Sequence, residues 1–192
     1  MKFDSTTVQG TVEAYKVDAD GEFGASPAWE AGALLYSSHS ANGGAGRNII
    51  TNSGGTGVPF RWASLPSAYK TQMTTASTNS VSSTNAEIVL NYVRGDQTKE
   101  GANGLRDRGT NLLGPVINGT PWIQGPPSAT FPGASGAGYA DFRKAHKDRN
   151  RLLWVAANDG MLHAFNPSTG AEVFSYIPGA LANRLAEIPL QR

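Results

Sequence analysis

The chain has 192 residues and a formal net charge of +1, with charged residues at 16%, below the ~25% usual for soluble domains. A balance this near neutral creates no field to gather nucleic acid or an anionic membrane, so neither is an expected partner. The absence of cysteine excludes disulfides, thiolate nucleophiles and Cys-based zinc sites together, and no apolar run reaches the ~18 residues of a membrane span.

From the N-terminus, Met1 to Thr11 lacks a basic start followed by an apolar run, so it does not read as a secretory signal. A first strand is expected over 8–17, followed by the acidic stretch Asp18-Ala19-Asp20-Gly21-Glu22. A calcium-loop register with Gly21 at the sixth position puts Lys16 on the first ligand and Pro27 on the twelfth, so the stretch reads as a hairpin turn. Ser26 and Pro27 suit a helix start carrying Trp29, Ala33 and Leu34 along one side. Ser37 to Gly46 is Gly/Ser/Asn-rich and reads as a loop. Strands are expected at 48–52 and 58–62, separated by the flexible stretch Asn52 to Gly57. Its Ser53-Gly54-Gly55-Thr56-Gly57 lacks the Lys-Ser/Thr of a phosphate loop.

Thr71 to Ser83, nearly all Thr, Ser, Ala and Asn, reads as a connector too polar to offset its ordering entropy. Thr84-Asn85-Ala86-Glu87 is a capping box for a short helix with Ile88, Val89, Tyr92 and Val93 on one face, ending at Arg94-Gly95. Leu105-Arg106-Asp107-Arg108 reads as a solvated or rim contact, and a strand is expected over 114–124. Asn118-Gly119-Thr120 matches a glycosylation sequon, and Gln124 to Gly138 is a Gly/Pro-rich link. Short helices are expected over Tyr139 to Lys147, anchored by Phe142, and over Ala180 to Ile188, with Leu181, Leu185 and Ile188 inward.

The most informative stretch is Arg151 to Pro178. Leu152 to Ala157 is apolar on both faces, as in a strand sandwiched between layers. Asn158-Asp159-Gly160 and Asn166-Pro167-Ser168-Thr169-Gly170 supply corners that tolerate positive φ. The strands 151–157, 161–166 and 171–177 therefore form an antiparallel meander, the repeating unit of a propeller blade. Ala164 to Phe174 resembles the docking motif of quinoprotein-type propellers, with Asn166 in place of its acid and Phe174 in place of its Trp. In that motif the aromatic packs against the next blade.

The order LRDRGTNLLGPVINGTPWI, YADFRKAHKDR, WVAANDGMLHAFNPSTGAEVFSYIP is similar to the propeller domain of the PilC/PilY family of type IV pilus biogenesis and tip-adhesin proteins. GTVEAYKVDADGEF, PAWEAGALL, RNIIT, VPFRW and EIVLNYVRGDQ fit the same family, so the resemblance runs from about Gly10 to Leu190. It implies a non-enzymatic module at the cell surface, the pilus tip or the outer membrane and periplasm. The implied partners are minor pilins and host or surface receptors. The family's calcium loop lies further along the propeller than this chain reaches, so no cofactor is expected here.

A blade takes about 40 to 45 residues and closed propellers need 4 to 8. The expected fold is therefore mainly β, an incomplete β-propeller of about two blades across 1–192, with short helical insertions and long loops. Its clearest blade is expected at about 112–178, with earlier strands and insertions over 8–104. The chain reads as the opening section of a larger exported protein, its signal upstream. Gly10 to Tyr15 echoes Gly160 to Phe165 in pattern, in keeping with more than one blade.

No catalytic, cofactor-binding or metal-ligating residue is expected. His39 reads as a loop residue, His146 as a helix-end residue and His163 as a packed strand residue, none with a second histidine or a carboxylate at ligand spacing. The competing readings are a fragment of a quinone-dependent (pyrroloquinoline quinone) dehydrogenase-like propeller and a generic propeller scaffold for protein binding. Against the dehydrogenase stand the missing acid and the lack of a repeated Trp motif.

Overall fold

The computed structural model describes residues 2–4, 9–80, 85–101, 104–128 and 137–190. Its framework is β: a six-stranded sheet with spatial order β6-β5-β10-β9-β8-β7. The strands are β5 (Ile49–Ser53), β6 (Thr56–Pro59), β7 (Trp122–Gln124), β8 (Leu152–Ala156), β9 (Leu162–Phe165) and β10 (Glu172–Ile177). Strands β7 to β10 form the expected antiparallel meander.

Local chemistry sets both corners. Gly160 (φ 82) closes the first, where Ala157 N–H donates to Met161 O at 3.0 Å. At the second, Asn166 Oδ1 accepts from Ser168 N–H at 2.9 Å and Gly170 adopts φ 73. A Cβ on Gly170 would meet the Trp29 ring at 2.7 Å, so the corner requires glycine for conformation and for space. Trp29 Nε1 donates to the Pro167 carbonyl at 3.1 Å, fixing its indole over the turn.

The β5–β6 hairpin joins β10 in parallel, with Ile49 opposite Ser175 and Thr51 opposite Ile177. The earlier strands thus extend the same sheet as the meander. No closed barrel or propeller is seen among the described residues. Two small ribbons complete the β structure: β1 (Lys2–Asp4) with β2 (Gln9–Thr11), and β3 (Glu13–Ala14) with β4 (Trp29–Glu30). The expected 8–17 strand is thus broken into β2 and β3, with only an isolated bridge from Val17 to Phe23 beyond. The Gly10 and Gly160 echo is not structural: Gly10 lies in β2 against the backbone of residues 114–116, whereas Gly160 makes a turn.

Helices differ from expectation in instructive ways. Helix α1 (Ala31–His39) begins four residues after Pro27, because Glu30 is its cap, accepting from Gly32 N–H and Ala33 N–H at 2.9 and 2.6 Å. It runs on through a 3-10 turn at Ser40–Asn42, into the stretch read as loop. The flexible stretch Asn52 to Gly57 is a tight hairpin corner with Gly54 and Gly55 at φ 60 and 83. Helix α2 (Ser67–Ser80) occupies most of the Thr/Ser-rich segment; Tyr69 and Met73 bury into the core, and this packing outweighs weak propensity.

Helix α3 (Ala86–Arg94) forms in the expected place and ends at Arg94-Gly95, but its cap is Asn85, which accepts from Glu87 N–H at 2.8 Å, and not Thr84, which lies outside the described residues. Helix α4 (Ala137–Ala145) begins and ends two residues before the expected Tyr139 to Lys147, and Phe142, its expected anchor, is 41% exposed. Residues 180–188 form two 3-10 turns, Gly179–Leu181 and Leu185–Glu187, instead of one helix. The expected 114–124 strand contracts to β7, and residues 112–116 run buried beneath the sheet as irregular chain.

The sheet is two-sided in sequence, and the described residues layer it on one side. Leu153, Val155, His163, Phe165, Ser175, Ile177, Ile49 and Thr51 are all buried. They face two apolar clusters, one built on α2, α3 and Leu185, the other on Val12, Trp29, Leu35, Leu112 and Leu113. On the opposite face, Leu152, Trp154, Leu162, Phe174, Tyr176 and Ile50 are half-buried and Trp122 is 60% exposed. Among the described residues, the doubly apolar pattern of β8 therefore has an apolar cluster packed on one face alone.

Candidate functional site

The centre of the molecule is a row of four alternating charges. Arg47 precedes β5, Glu172 opens β10, His163 lies in β9 and Asp159 occupies the β8–β9 corner. The side chains of Arg47 and His163 are wholly buried and those of Glu172 and Asp159 nearly so. Hairpin geometry places three of them: Glu172 pairs with Phe165, one step along the face from His163, and Asp159 sits one turn before it.

Arg47 meets Glu172 as a two-pronged fork, Nε to Oε2 at 2.8 Å and Nη2 to Oε1 at 2.7 Å. Glu172 Oε1 also accepts from His163 Nδ1 at 2.8 Å, and His163 Nε2 reaches both Asp159 oxygens at 3.2 and 3.1 Å. Asp159 then accepts from Gly114 N–H at 3.0 Å and Met161 N–H at 3.1 Å. At the other end, Arg47 Nη1 donates to the Arg94 carbonyl at 3.1 Å. One chain of charge-assisted bonds thus joins the end of α3, the sheet and the buried 112–116 segment.

Burial alone would discharge the His163 imidazole, but the charge of Asp159 and bonds to both carboxylates overcome it and raise its pKa to about 9. His163 is therefore an imidazolium at neutral pH and donates from both nitrogens. Burial also disfavours the Glu172 and Asp159 carboxylates; Arg47 overcomes it for the first and His163 for the second, so both are held below the usual range. The quartet carries no net charge, the condition under which such burial is tolerable.

His163 is the packed strand residue expected, wholly buried in β9 and stacked on Phe165 at 5.4 Å; what the sequence reading lacked is that two acids hold it. A drawn hairpin register would have revealed Asp159 and Glu172. Nothing local points to Arg47, 125 residues from Glu172.

A second buried pair also departs from expectation. Arg108, read as a solvated or rim residue, bonds Glu100 through Nε at 2.6 Å and lies over the Tyr92 ring at 3.8 Å. His39, read as a loop residue, ends α1, where burial and then Arg47 lower its pKa. His146 packs on Phe142 at 4.6 Å. Asp18 to Glu22 is a hairpin turn as read, with Asp18 Oδ1 accepting from Asp20 N–H and Glu22 N–H, both at 2.9 Å. Among the described residues no three His, Asp or Glu side chains converge as a metal site.

The docking-motif residues also have defined places. Phe174 packs edge-on against Trp154 of its own sheet, at 5.4 Å and 82°, and the two rings meet above Ala164, which is wholly buried.

Comparison with known proteins gives this architecture a context. The chain is 34% identical over 167 residues to the type IV pilus biogenesis factor PilY1 of Pseudomonas aeruginosa strain PAK, covering 83% of this chain. It is 40% identical over 106 residues, 51% of this chain, to a PilY1 homologue of Xylella fastidiosa. It spans 14% and 8% of the lengths of these two relatives. No family model and no solved structure matches it. With that similarity carried across most of its length, the chain belongs to the PilC/PilY family of type IV pilus biogenesis factors.

Proposed function

We propose that this chain is a non-enzymatic structural module of a type IV pilus biogenesis factor. It works at the cell surface, with minor pilins and a surface receptor as partners of the whole protein. In this reading β7 to β10 are one blade of a propeller, and the half-exposed face takes the neighbouring β-sheet of the assembled domain. The observation that carries it is the row Trp122, Trp154, Ala164 and Phe174 on a sheet face against which neither apolar cluster of the described residues packs, in a chain whose relatives are named for pilus biogenesis. Such a surface suits packing between sheets, which proceeds through interdigitated apolar rows. The buried quartet supports the same reading, since its charges are directed at one another and at the backbone, which fixes geometry.

The test is made in the full-length protein of a piliated bacterium. Trp154→Asp with Phe174→Asp is expected to abolish surface pili by electron microscopy and to reduce attachment to epithelial cells. Val173→Asp, at an exposed position of β10, is expected to leave both intact. Normal piliation and attachment in the double variant would refute the proposal.

A further inference from the structure

On the side of the molecule served by α2, a cleft of about 500 Å³ opens between the β5–β6 corner, the first turns of α2 and the chain after β10. Its volume falls within the ~300–1,000 Å³ typical of small-molecule sites. Asn52, Ser53, Gln72 and Tyr176 give it polar groups, Ala68 and the backbone of residues 178–180 its floor and wall. Among the described residues, none bordering it is charged.

The chemistry of those groups selects a ligand class. Carboxamides donate and accept, as do hydroxyls, so Asn52, Gln72 and Ser53 complement a ligand whose groups do both. Asn52 Oδ1 is occupied by Gly55 N–H at 3.3 Å, which leaves its amide hydrogens for a ligand oxygen. Tyr176 is half-buried in β10 and offers a ring with a polar tip to a molecule that has apolar and polar faces. A charged ligand would lose hydration here with no counter-charge to replace it.

The cleft is also anchored. Thr51 Oγ1, one residue from Asn52, donates to the Ile177 carbonyl at 2.8 Å and meets the Tyr69 hydroxyl at 3.2 Å. That knot ties β5, β10 and α2 together, so the three walls keep their spacing. We infer that this cleft is a binding site for a neutral saccharide of one or two units. The cleft borders the half-exposed sheet face through Tyr176 and lies at the β5–β6 end of the sheet, away from the Trp122, Trp154 and Phe174 row.

The experiment is ligand-observed saturation-transfer NMR on the whole chain, with D-glucose, D-galactose and N-acetyl-D-glucosamine as neutral probes and D-glucuronate and D-glucosamine as charged ones. Transfer to at least one neutral probe is expected, and little to the charged pair. Gln72→Ala is expected to weaken binding about fivefold, the loss of one hydrogen bond. Ala68→Glu, which fills the cleft and charges it, is expected to abolish binding. Both positions are exposed on a helix, and unchanged circular dichroism and melting will show that the fold survives. The inference is overturned if no neutral probe receives transfer, if both variants retain it, or if the charged probes bind equally well.

Discussion

Arg47 and Arg94 are bonded reciprocally: each guanidinium donates to the main-chain carbonyl of the other, at 3.1 Å and 3.2 Å. Two like charges are held close because each is spent on carbonyl dipoles, and Arg47 on Glu172 as well. Arg94 donates further to Phe60 O and Gly44 O, both at 2.8 Å. Burial, and then the charges of Arg61 and Arg47, lower its pKa to about 10.

Arg94→Met is therefore expected to destabilise the protein by about 2–4 kcal/mol, because buried carbonyls lose their donors while the volume is kept. Chemical denaturation checks this. A loss below about 0.5 kcal/mol, as at ordinary surface positions, would place the carbonyls in water.

Removing one partner of the quartet should be severe. Arg47→Met leaves Glu172 buried and facing only His163, and is expected to cost about 3–5 kcal/mol. Converting Glu172 to Gln as well should recover part of that loss, since the stranded charge disappears. A double-mutant cycle measures the recovery, and strict additivity would contradict the coupling.

The quartet also sets a pH window. His163 has a pKa of about 9 against an ordinary 6.5, so its contribution is complete below 6.5 and is lost as pH rises through 9. Glu172 and Asp159 lie below their ordinary 4.5 and 3.8, so their contribution is complete above those values and is lost as pH falls. Stability should peak between about pH 5 and 6.5 and fall by about 3 kcal/mol toward the alkaline limit. A profile flat from pH 6 to 10 in thermal melts would show that His163 is neutral.

Gly170→Ala should be costly although Ser168 and Thr169 beside it are exposed, because Gly170 itself is buried. It combines a φ of 73 with a contact against Trp29, so a loss of about 2–3 kcal/mol is expected. The companion change Trp29→Leu should relieve only the indole's share of the clash, since Leu34 Cδ1 also lies 2.7 Å from that Cβ position. Equal stability of Gly170→Ala and the parent protein would mean the indole moves aside freely.

The isolated chain is expected to self-associate through Trp122, Trp154 and Phe174, whose face has no covering layer among the described residues. Trp122→Ser with Phe174→Ser should shift light scattering toward the monomer. A monodisperse parent protein with a sharp melt would show that the face is stable in water.

What the sequence disclosed follows from the range of each interaction. The meander was legible because its signals are local: two positive-φ corners and strand-length apolar runs at 152–156, 162–165 and 172–177. The short α3 helix was legible for the same reason, its cap and amphipathic face lying within ten residues. The α2 helix was not, since Ser/Thr composition argues for a connector and only the burial of Tyr69 and Met73 reverses that. The 3-10 turns at 179–187 have the apolar spacing of a helix and differ only in their hydrogen bonding. The buried quartet required the partner at position 47, whose approach is set by tertiary structure and by no feature of its own neighbourhood.

The parallel seam between β5 and β10 has a consequence for the order of assembly. Thr51 and Ile177 meet across 126 residues, so a chain emerging from the ribosome makes the β5–β6 hairpin long before its partner strand exists. Until then Ile49 to Ser53 presents an unpaired strand edge to whatever is nearby. The meander can close early by short-range contacts, but sealing the seam must wait for a long loop to be drawn in. A holding factor acting during synthesis or export would therefore be needed longest by the earliest strands of the sheet, not by the last.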